Sequence, residues 1–501
     1  MESNKTDQAN HQVLIVDLNN FSRYPTLSVG YLSSILKNNG AEVDVLSPLF
    51  FGVHGFPRNV KEPRGYHYLK FLNHIGATSE NRFLKFLYDK IKNVRKKDKS
   101  ILQRTIVSAF QEQIKNTKPD IVLISAYTMY FDMRSVIAGI CDDHNIPLIV
   151  GGNSFVIPEI AQKWSVIRGV TAVFAGEPEA ILNRMVDDVL LGNDISHYQG
   201  VYEDRGQGNI AKPLESLDSI PYPTFDAFPW RSYPNRIIPI MTGRGCEWGR
   251  CSFCSDVLTS AGRNYRSRSL DNVISEMKYQ RSRHQADLFV LLDLKLNSDL
   301  DVWKGLAERI SHELPDIKWT ASVHVDSRTD NGLSYADLKK ASEAGLVRIT
   351  TGLESGSQEV LNSMLKGTKL KRVSEFIKTA HAVGLSVRLT CIIGEGNEQA
   401  DDIKKTTNFL REHEPYIERV VINRFAYIPG TPAFYFQMAP EKAYKNIKLG
   451  ELDLESGLLK HSNSRYMELK HRIAVFGLLR VANTINRKPL IEKATEFEGA
   501  F

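Results

Sequence analysis

The sequence predicts an α/β protein: a Rossmann-like parallel sheet, then a partial (β/α)6 barrel, then a C-terminal helical segment. Three observations predict it. Short apolar runs alternate with helix-length amphipathic stretches. A Pro-, Gly-, Asp- and Ser-rich stretch, Glu203–Pro229, separates two such series. The length, 501 residues, accommodates roughly two to four domains.

Taken in order, Val13–Asp17 reads as a strand, Leu27–Leu36 as a helix stopped by Asn38-Asn39-Gly40, and Glu42–Leu46 as a second strand. This is the length of a parallel crossover unit. Residues 47–118 interrupt the rhythm with aromatic and basic residues and two expected helices, an insertion that either packs over the sheet or covers a pocket. Strands at Asp120–Ser125, Pro147–Val150 and Val173–Phe174 then alternate with helices at Met133–His144 and Ala180–Leu191. In such sheets ligands bind beyond the carboxyl ends of the strands. Four segments meet there: Asn19–Gly30, Ser125–Tyr130, Gly151–Ser154 and Gly176–Glu179.

The second series has expected strands at Ile237–Met241, Leu288–Leu292, Trp319–Val325, Arg348–Leu353, Ser386–Ile393 and Val420–Tyr427, with helical patterns between them. This repetition fits a partial barrel. From Ala439 onward the chain reads as mainly helical, with Tyr466–Ile485 its best helix. The expected boundaries are 12–202 for the first domain, 203–234 for the linker, 235–438 for the barrel and 439–501 for the appendage.

Composition excludes several classes. Hydrophobic residues are 42% and charged residues 24%, ordinary for a globular protein and unlike a disordered or collagen-like one. The balance of 64 basic to 58 acidic residues, a net +6, is too weak for a nucleic-acid-coating protein. The basic run Lys92–Lys99 reads as a solvated helix end or loop, with a nucleic-acid or membrane-surface role as its rival. No stretch approaches the roughly 18 apolar residues of a membrane span. The start, Met1–Gln12, lacks the apolar core of a signal peptide, so a cytoplasmic location is expected.

The 5 cysteines make no disulfide framework. Cys246, Cys251 and Cys254 crowd one Gly-rich loop after the first barrel strand, while Cys141 and Cys391 stand alone. Three thiolates on one loop suit three irons of a [4Fe–4S] cluster, with the fourth iron open to an outside ligand. Structural zinc is the rival, but it wants a fourth ligand nearby. The next Cys or His after Cys254 is His284.

That loop, with Arg266-Ser267-Arg268-Ser269, Gly352-Leu353-Glu354-Ser355-Gly356-Ser357, Lys366-Gly367-Thr368, the Ile393–Glu398 turn and Tyr427-Ile428-Pro429-Gly430-Thr431-Pro432, resembles a radical S-adenosylmethionine (SAM) enzyme. The order is similar to that of the subgroup with an N-terminal cobalamin (B12)-binding domain. Tyr24-Pro25-Thr26-Leu27, Gly151-Gly152, Gly176-Glu177-Pro178-Glu179 and the Leu217–Pro223 linker agree, so the resemblance covers about residues 12 to 437. There are departures. The spacer Glu247–Arg250 is one residue longer than is usual, and Gly396-Asn397 replaces a usual Pro-Gly. The Asp-x-His-x-x-Gly signature is absent, which implies that no histidine of this loop ligates cobalt.

The resemblance implies that Cys246, Cys251 and Cys254 hold a [4Fe–4S] cluster, whose open iron binds SAM. Reductive cleavage of SAM then gives a 5′-deoxyadenosyl radical that abstracts hydrogen from substrate. Phe253 is expected near adenine, or as a shield for the cluster; Glu354 is expected on SAM, or in a salt bridge to an Arg. Gly394 and Gly396 give backbone room near adenine, or simply a turn. Tyr24, Thr26, Leu27, Ser125, Gly151, Gly152, Gly176 and Glu177 are the residues expected to face cobalamin. Lys295, Asp293 and Tyr427 are the catalytic candidates, with Asp293 and Lys295 on one strand face either orienting a substrate or forming an ion pair. His324, Asp326, Arg388, Asn423 and Arg424 face substrate, or serve as structural hydrogen-bonders.

The implied function is cobalamin-dependent methylation of an unactivated carbon in a biosynthetic intermediate. Its alternatives are a radical rearrangement, cyclisation or oxidation, with or without cobalamin, and a non-catalytic zinc- or cobalamin-binding module. Expected partners are a small-molecule or peptide substrate and a reductant such as flavodoxin or ferredoxin, with no nucleic acid.

Overall fold

Buried apolar strands build two parallel sheets that follow one another along the chain. The computed structural model describes residues 11–18, 23–54, 60–79, 81–125, 131–204, 208–259, 264–326, 328, 332–455 and 457–500. Most of the Met1–Gln12 start, and all of the 125–130 loop except Ser125, lie outside the described residues.

β1 (Gln12–Asp17), α1 (Leu27–Asn38) and β2 (Glu42–Leu46) form the first crossover. The insertion follows as α2 (Tyr66–Thr78) and α3 (Arg82–Thr117). The run Lys92–Lys99 falls inside α3, neither at a helix end nor in a loop, and its side chains lie outside the described residues. The sheet resumes with β3 (Ile121–Ser125), α4 (Phe131–Asp143), β4 (Leu148–Gly151), α5 (Pro158–Ser165), β5 (Ala172–Phe174), α6 (Leu182–Leu191) and β6 (Val201–Tyr202). The sequence reading passes over α5, whose first-turn proline starts a short helix. Strand order is β2-β1-β3-β4-β5-β6, with β6 antiparallel to β5 and the rest parallel. The winding reverses between β1 and β3, which opens a crevice at the carboxyl ends where Asp17 pairs with Ser125.

The second unit runs β7 (Ile237–Ile240), β8 (Gly243–Arg244), α7 (Asp256–Thr259), β9 (Arg266–Ser267), α8 (Leu270–His284), β10 (Leu288–Leu291), α9 (Leu300–Glu313), β11 (Lys318–Val323), α10 (Tyr335–Glu343), β12 (Leu346–Glu354), α11 (Gln358–Ser363), α12 (Leu370–Ala382), β13 (Ser386–Ile393), α13 (Ala400–Glu412) and β14 (Arg419–Arg424). Its sheet has the order β14-β13-β12-β11-β10-β7, parallel throughout, as in a partial barrel. The β8–β9 ladder closes the base of the loop that carries the three cysteines. The last strand ends at Arg424, so Tyr427 lies beyond it rather than on it.

The end of the chain is less helical than the sequence reading has it. After α14 (Pro432–Met438) comes an antiparallel hairpin, β15 (Ile447–Asp453) and β16 (Leu458–Asn463), and only then α15 (Leu469–Asn486). The hairpin owes its place to tertiary packing, since Ile447 is buried against Phe425, Tyr427 and Met364 near the barrel mouth. Glu492–Phe497 then crosses the far side of the barrel, where the buried Arg348 donates to the carbonyls of Phe497 (2.9 Å) and Ala494 (3.3 Å). The insertion helix α2 rests on α15 through His67, Tyr68 and Phe71 against Phe476. One hydrophobic core runs from β1 and α1 through Phe225 and Phe228 of the linker to the outer face of the barrel strands.

Candidate active site

The cysteine loop sits at the carboxyl end of β7. Thr242 starts it, and both its backbone N–H (3.1 Å) and its hydroxyl (2.7 Å) donate to Asp293. Burial pushes the Asp293 carboxyl up to about 6, against those hydrogen bonds. Asp293 therefore anchors the loop and does not meet Lys295. The buried Lys295 ammonium pairs instead with Asp326 at 3.0 Å and lies 3.6 Å from Glu247 of the loop. The expected Asp293–Lys295 pair is thus two separate contacts, because β10 ends at Leu291 and the chain turns before Lys295. Arg328 joins the second contact, 2.8 Å from Asp326 and 3.7 Å from Glu247.

Cys246, Cys251 and Cys254 are all half-buried and unbridged. Facing them is Lys366, fully within the barrel and paired with Glu354 at 2.9 Å. Burial pushes the Cys251 thiol up, and the Lys366 charge opposes this. Burial likewise acts to lower Lys366, but Glu354 and the thiols outweigh it and hold the ammonium charged. Glu354 ends β12 with a left-handed φ of 57°, a conformation that is strained for a residue with a side chain. Gly352 leaves the space that the Glu354 carboxylate and the Lys366 ammonium occupy. Glu354 is in a salt bridge, and its partner is Lys366 and not an arginine. Lys366 also lies 5.9 Å from the Phe253 ring centre, and Phe253 packs edge-on to Phe425.

The turn after β13 is gripped from outside. The Gly394 N–H donates to Glu398 at 2.6 Å, and Asn463 donates to the Gly394 carbonyl at 3.3 Å. A side chain at Gly394 or Gly396 would collide with Tyr466 or Tyr444 respectively, so these glycines make room for the C-terminal segment. Tyr427 is buried between Phe425 and His461, its hydroxyl without a partner among the described residues. His324 donates from Nε2 to the Lys366 carbonyl (3.0 Å), behind Trp248. Asn423 and Arg424 are exposed at the end of β14, and Arg388 is buried in β13.

On the first sheet, Thr26 donates to Asp17 (2.8 Å) and Ser28 lies 3.2 Å from Ser125, which is next to Gly151 across the ladder. These groups line the crevice. Leu27, Tyr24, Gly176 and Glu177 are otherwise engaged. Leu27 is buried core, and Tyr24 packs with Val290, Val347 and Phe497. Gly176, at φ 117°, lies tight against Ala211. The Glu177 carboxylate bonds Arg266 (2.6 Å) and Arg244 (3.2 Å) of the β8–β9 ladder. Gly152 precedes the short turn Asn153–Val156.

Residues 240–410 match the family model of the Radical SAM superfamily. That segment, the barrel, is a radical SAM domain. An uncharacterised methyltransferase of Pyrococcus horikoshii is 27% identical over 337 residues, 65% of this chain and 71% of that one. In fold, the chain is similar to TsrM, a radical SAM methyltransferase from Kitasatospora setae solved with tryptophan and a SAM analogue: TM-score 0.63, 15% identity, 88% of this chain and 79% of that one. OxsB, a cobalamin-dependent SAM radical enzyme, gives TM-score 0.66 and 16% identity over 90% of this chain and 64% of that one. Both likenesses concern the fold, and both take in the N-terminal sheet as well as the barrel.

The donor set fits the cluster such enzymes use. Three thiols share one loop with a buried cation beside two of them, and each would hold one iron of a cubane. Among the described residues, no three His, Cys, Asp or Glu side chains close round a single-ion site. Thiolates of separate irons stand farther apart than the four donors of a structural zinc. Among the described residues, no helix is long and apolar enough to cross a membrane.

The sequence reading gave no role to Lys366, Trp248 or Arg348. Lys366 had a signal, the Lys-Gly-Thr motif that follows Glu354, whereas Trp248 and Arg348 had none.

Proposed function

We propose that the chain is a cobalamin-dependent C-methyltransferase, acting on an unactivated carbon of a small-molecule or peptide intermediate. The observation that carries this reading is the presence in one chain of two sheets, linked where Glu177 pairs with Arg266 and Arg244 at the base of the cysteine loop. The polar crevice of the first, at Asp17, Thr26, Ser28 and Ser125, accompanies a barrel whose mouth holds the cysteine loop and the Glu354–Lys366 pair. The fold neighbours support it, since TsrM has been solved with cobalamin and a [4Fe–4S] cluster and OxsB with aqua-cobalamin and SAM. When bound, the cluster supplies an electron to SAM, and cobalamin supplies a transferable methyl group.

The chain's own contribution is positional. Cys246, Cys251 and Cys254 hold the cluster and Glu354 presents a carboxylate to SAM. Phe253, Phe425 and Tyr427 form an apolar wall that keeps water from the radical. Ser125, Thr26, Gly151 and Gly152, at the carboxyl ends of the first sheet, are the residues that would face cobalamin. The reductant is a low-potential carrier such as flavodoxin or ferredoxin.

Anaerobic reconstitution with iron, sulfide and hydroxocobalamin tests this. The expected product shows about four irons per chain together with cobalamin absorption, and it cleaves SAM under strong reductant. Replacing all three cysteines with Ala abolishes iron uptake and SAM cleavage. Label from the SAM methyl group, followed into bound cobalamin, separates methyl transfer from the other radical outcomes. Iron without cobalamin would overturn the methylation reading and leave the radical SAM chemistry standing.

A further inference from the structure

The insertion helices α2 and α3 and the C-terminal α15 together contain 14 Lys and Arg against 3 Asp and Glu, a net +11. The whole chain carries +6, so everything outside these helices sums to −5. Eight of the basic residues fall in 82–99, the first half of α3. Neither α2 nor α15 contains an acidic residue. Glu62 and Glu468, which pair with Lys70 and Lys470, come from outside the helices. The same helices expose large apolar side chains: Tyr68, Leu69 and Leu72 on α2, Phe83 and Phe86 on α3, Leu469 and Ile473 on α15. Leu72 is 61% exposed, Ile473 60% and Phe83 66%. One such residue is ordinary on a surface, whereas a group of them marks a contact.

Contacts place the helices side by side. Phe476 meets Tyr68 and Phe71, and His74 meets Tyr466 just ahead of α15. The two helices therefore run antiparallel, with Leu72 level with Ile473. α3 passes α2 closely where a Cβ on Gly76 would collide with Tyr88. The buried side chains described on α3, Ile106, Ala109, Phe110 and Ile114, all lie in its last third. The core thus holds α3 by the end opposite its basic half, which spans about 27 Å.

We propose that α2, α3 and α15 form a docking surface for an anionic lipid bilayer, with the apolar side chains entering the interface and the Lys-rich half of α3 lying along the headgroups. Clustered Lys beside exposed Phe, Tyr and Leu is the composition of helices that lie in a membrane interface. A second copy of the chain does not suit the surface, because two such faces repel. Nor does an acidic protein suit it as well. Seven of the ten cations of α3 are lysines, whose hydrated point charges match a diffuse field of headgroups. Tyr466 closes on Gly394 at the end of β13, so this surface flanks the carboxyl rim of the barrel. The proposal goes beyond the methylation reading and stands without it.

Cosedimentation of the full chain with vesicles tests it, using phosphatidylcholine alone and equal parts phosphatidylcholine and phosphatidylglycerol. The wild type is expected to pellet with the mixed vesicles and to remain in solution with phosphatidylcholine. Lys96→Gln with Lys97→Gln should weaken binding about 30-fold at low salt, the effect of losing two cations near the headgroups. Leu72→Ser with Ile473→Ser should weaken it at low and high salt alike, because apolar contact is not screened. Circular dichroism of each variant should match the wild type, since the apolar pair is exposed and the lysines lie outside the helix end held by the core. A wild type that stays in solution with the mixed vesicles, or binding that neither double variant weakens, overturns the proposal. Absence of vesicle binding, together with an affinity for flavodoxin that falls in the lysine variant, overturns it too and assigns the surface to an acidic protein.

Discussion

Lys366 carries a charge that the barrel interior cannot hydrate. Its ammonium is compensated by Glu354 at 2.9 Å, and each of the two side chains is less than one-tenth exposed, at 9% and 7%. Removing one member of such a pair leaves an uncompensated buried charge, at a cost of about 3–5 kcal/mol. Lys366→Met is therefore expected to lower unfolding free energy by about 3 kcal/mol in denaturant titration, and Lys366→Met with Glu354→Leu to recover most of it. A second buried acid, Glu398, has one oxygen on the Gly394 N–H and the other without a partner among the described residues. Burial pushes it up to about 8, with nearby Glu395 and Asp402 adding to the shift. Above the ordinary carboxylate range the unfolded chain releases this proton while the folded chain keeps it. Stability therefore falls as pH rises toward 8, by at most about 1.4 kcal/mol per pH unit. Glu398→Gln should flatten the decline between pH 6.5 and 8, read from urea midpoints at each pH.

At the scale of elements, the junction of α2 with α15 carries its own titration. His74 of α2 and His471 of α15 flank Tyr466, with ring centres 5.3 Å apart on each side. Burial lowers His74 to about 3 and His471 to about 4. Arg424 and Arg472 also face His74; Glu468 and Arg465 face His471, and Glu398 faces Tyr466. Unfolded imidazoles take up protons below about 6.5 while these two do not. The stability they contribute is therefore complete above that pH and is lost as pH falls toward 4. Hydrogen exchange should show α2 losing protection at pH 5 relative to pH 7, and His74→Phe should blunt the loss. This junction was illegible in the sequence, since it joins side chains that are far apart in the chain. The barrel strands were legible because burial on both faces makes them continuous apolar runs, as in Ile237–Ile240 and Leu288–Leu291. The hairpin Ile447–Asn463 was not, because a polar run such as Lys448–Glu451 takes its strand form from the neighbours it packs against. The cysteine loop declared itself through residue type and spacing. The roles of Trp248 and Lys366 depend on contacts that local pattern does not encode, such as the one between Trp248 and Leu365, 117 positions away.

For the whole molecule, the geometry between the two sheets decides what chemistry can pass from one to the other. Part of that geometry is held by a shared core and part by a charge network. Glu177, just after β5, receives Arg266 at 2.6 Å and Arg244 at 3.2 Å, while Arg244 also meets Glu179. Burial pushes the Glu177 carboxyl up, but the two guanidiniums and the Leu214 N–H outweigh this and hold it below the usual carboxylate range. The side chains are 9% to 13% exposed, so salt screens them little. Because both arginines flank the base of the cysteine loop, Glu177 connects the N-terminal sheet to the segment that carries the three cysteines. Glu177→Gln keeps the shape and removes the charge, leaving two arginines to share one carboxylate, Glu179. The expected loss is roughly 2–3 kcal/mol, the range for a charged hydrogen bond removed from a buried setting. It should fall on the contact between the sheets rather than within either. Denaturation followed at once by far-ultraviolet circular dichroism and by tryptophan fluorescence checks this. The wild type is expected to unfold with coincident transitions, and Glu177→Gln with the two probes separated. Because the folded pKa lies low, the wild-type coupling should persist through neutral pH and fail as pH drops through the acidic side of the carboxylate range. Coincident, unshifted transitions in Glu177→Gln would show that the shared core around Phe225 and Phe228 alone fixes the spacing between the two sheets.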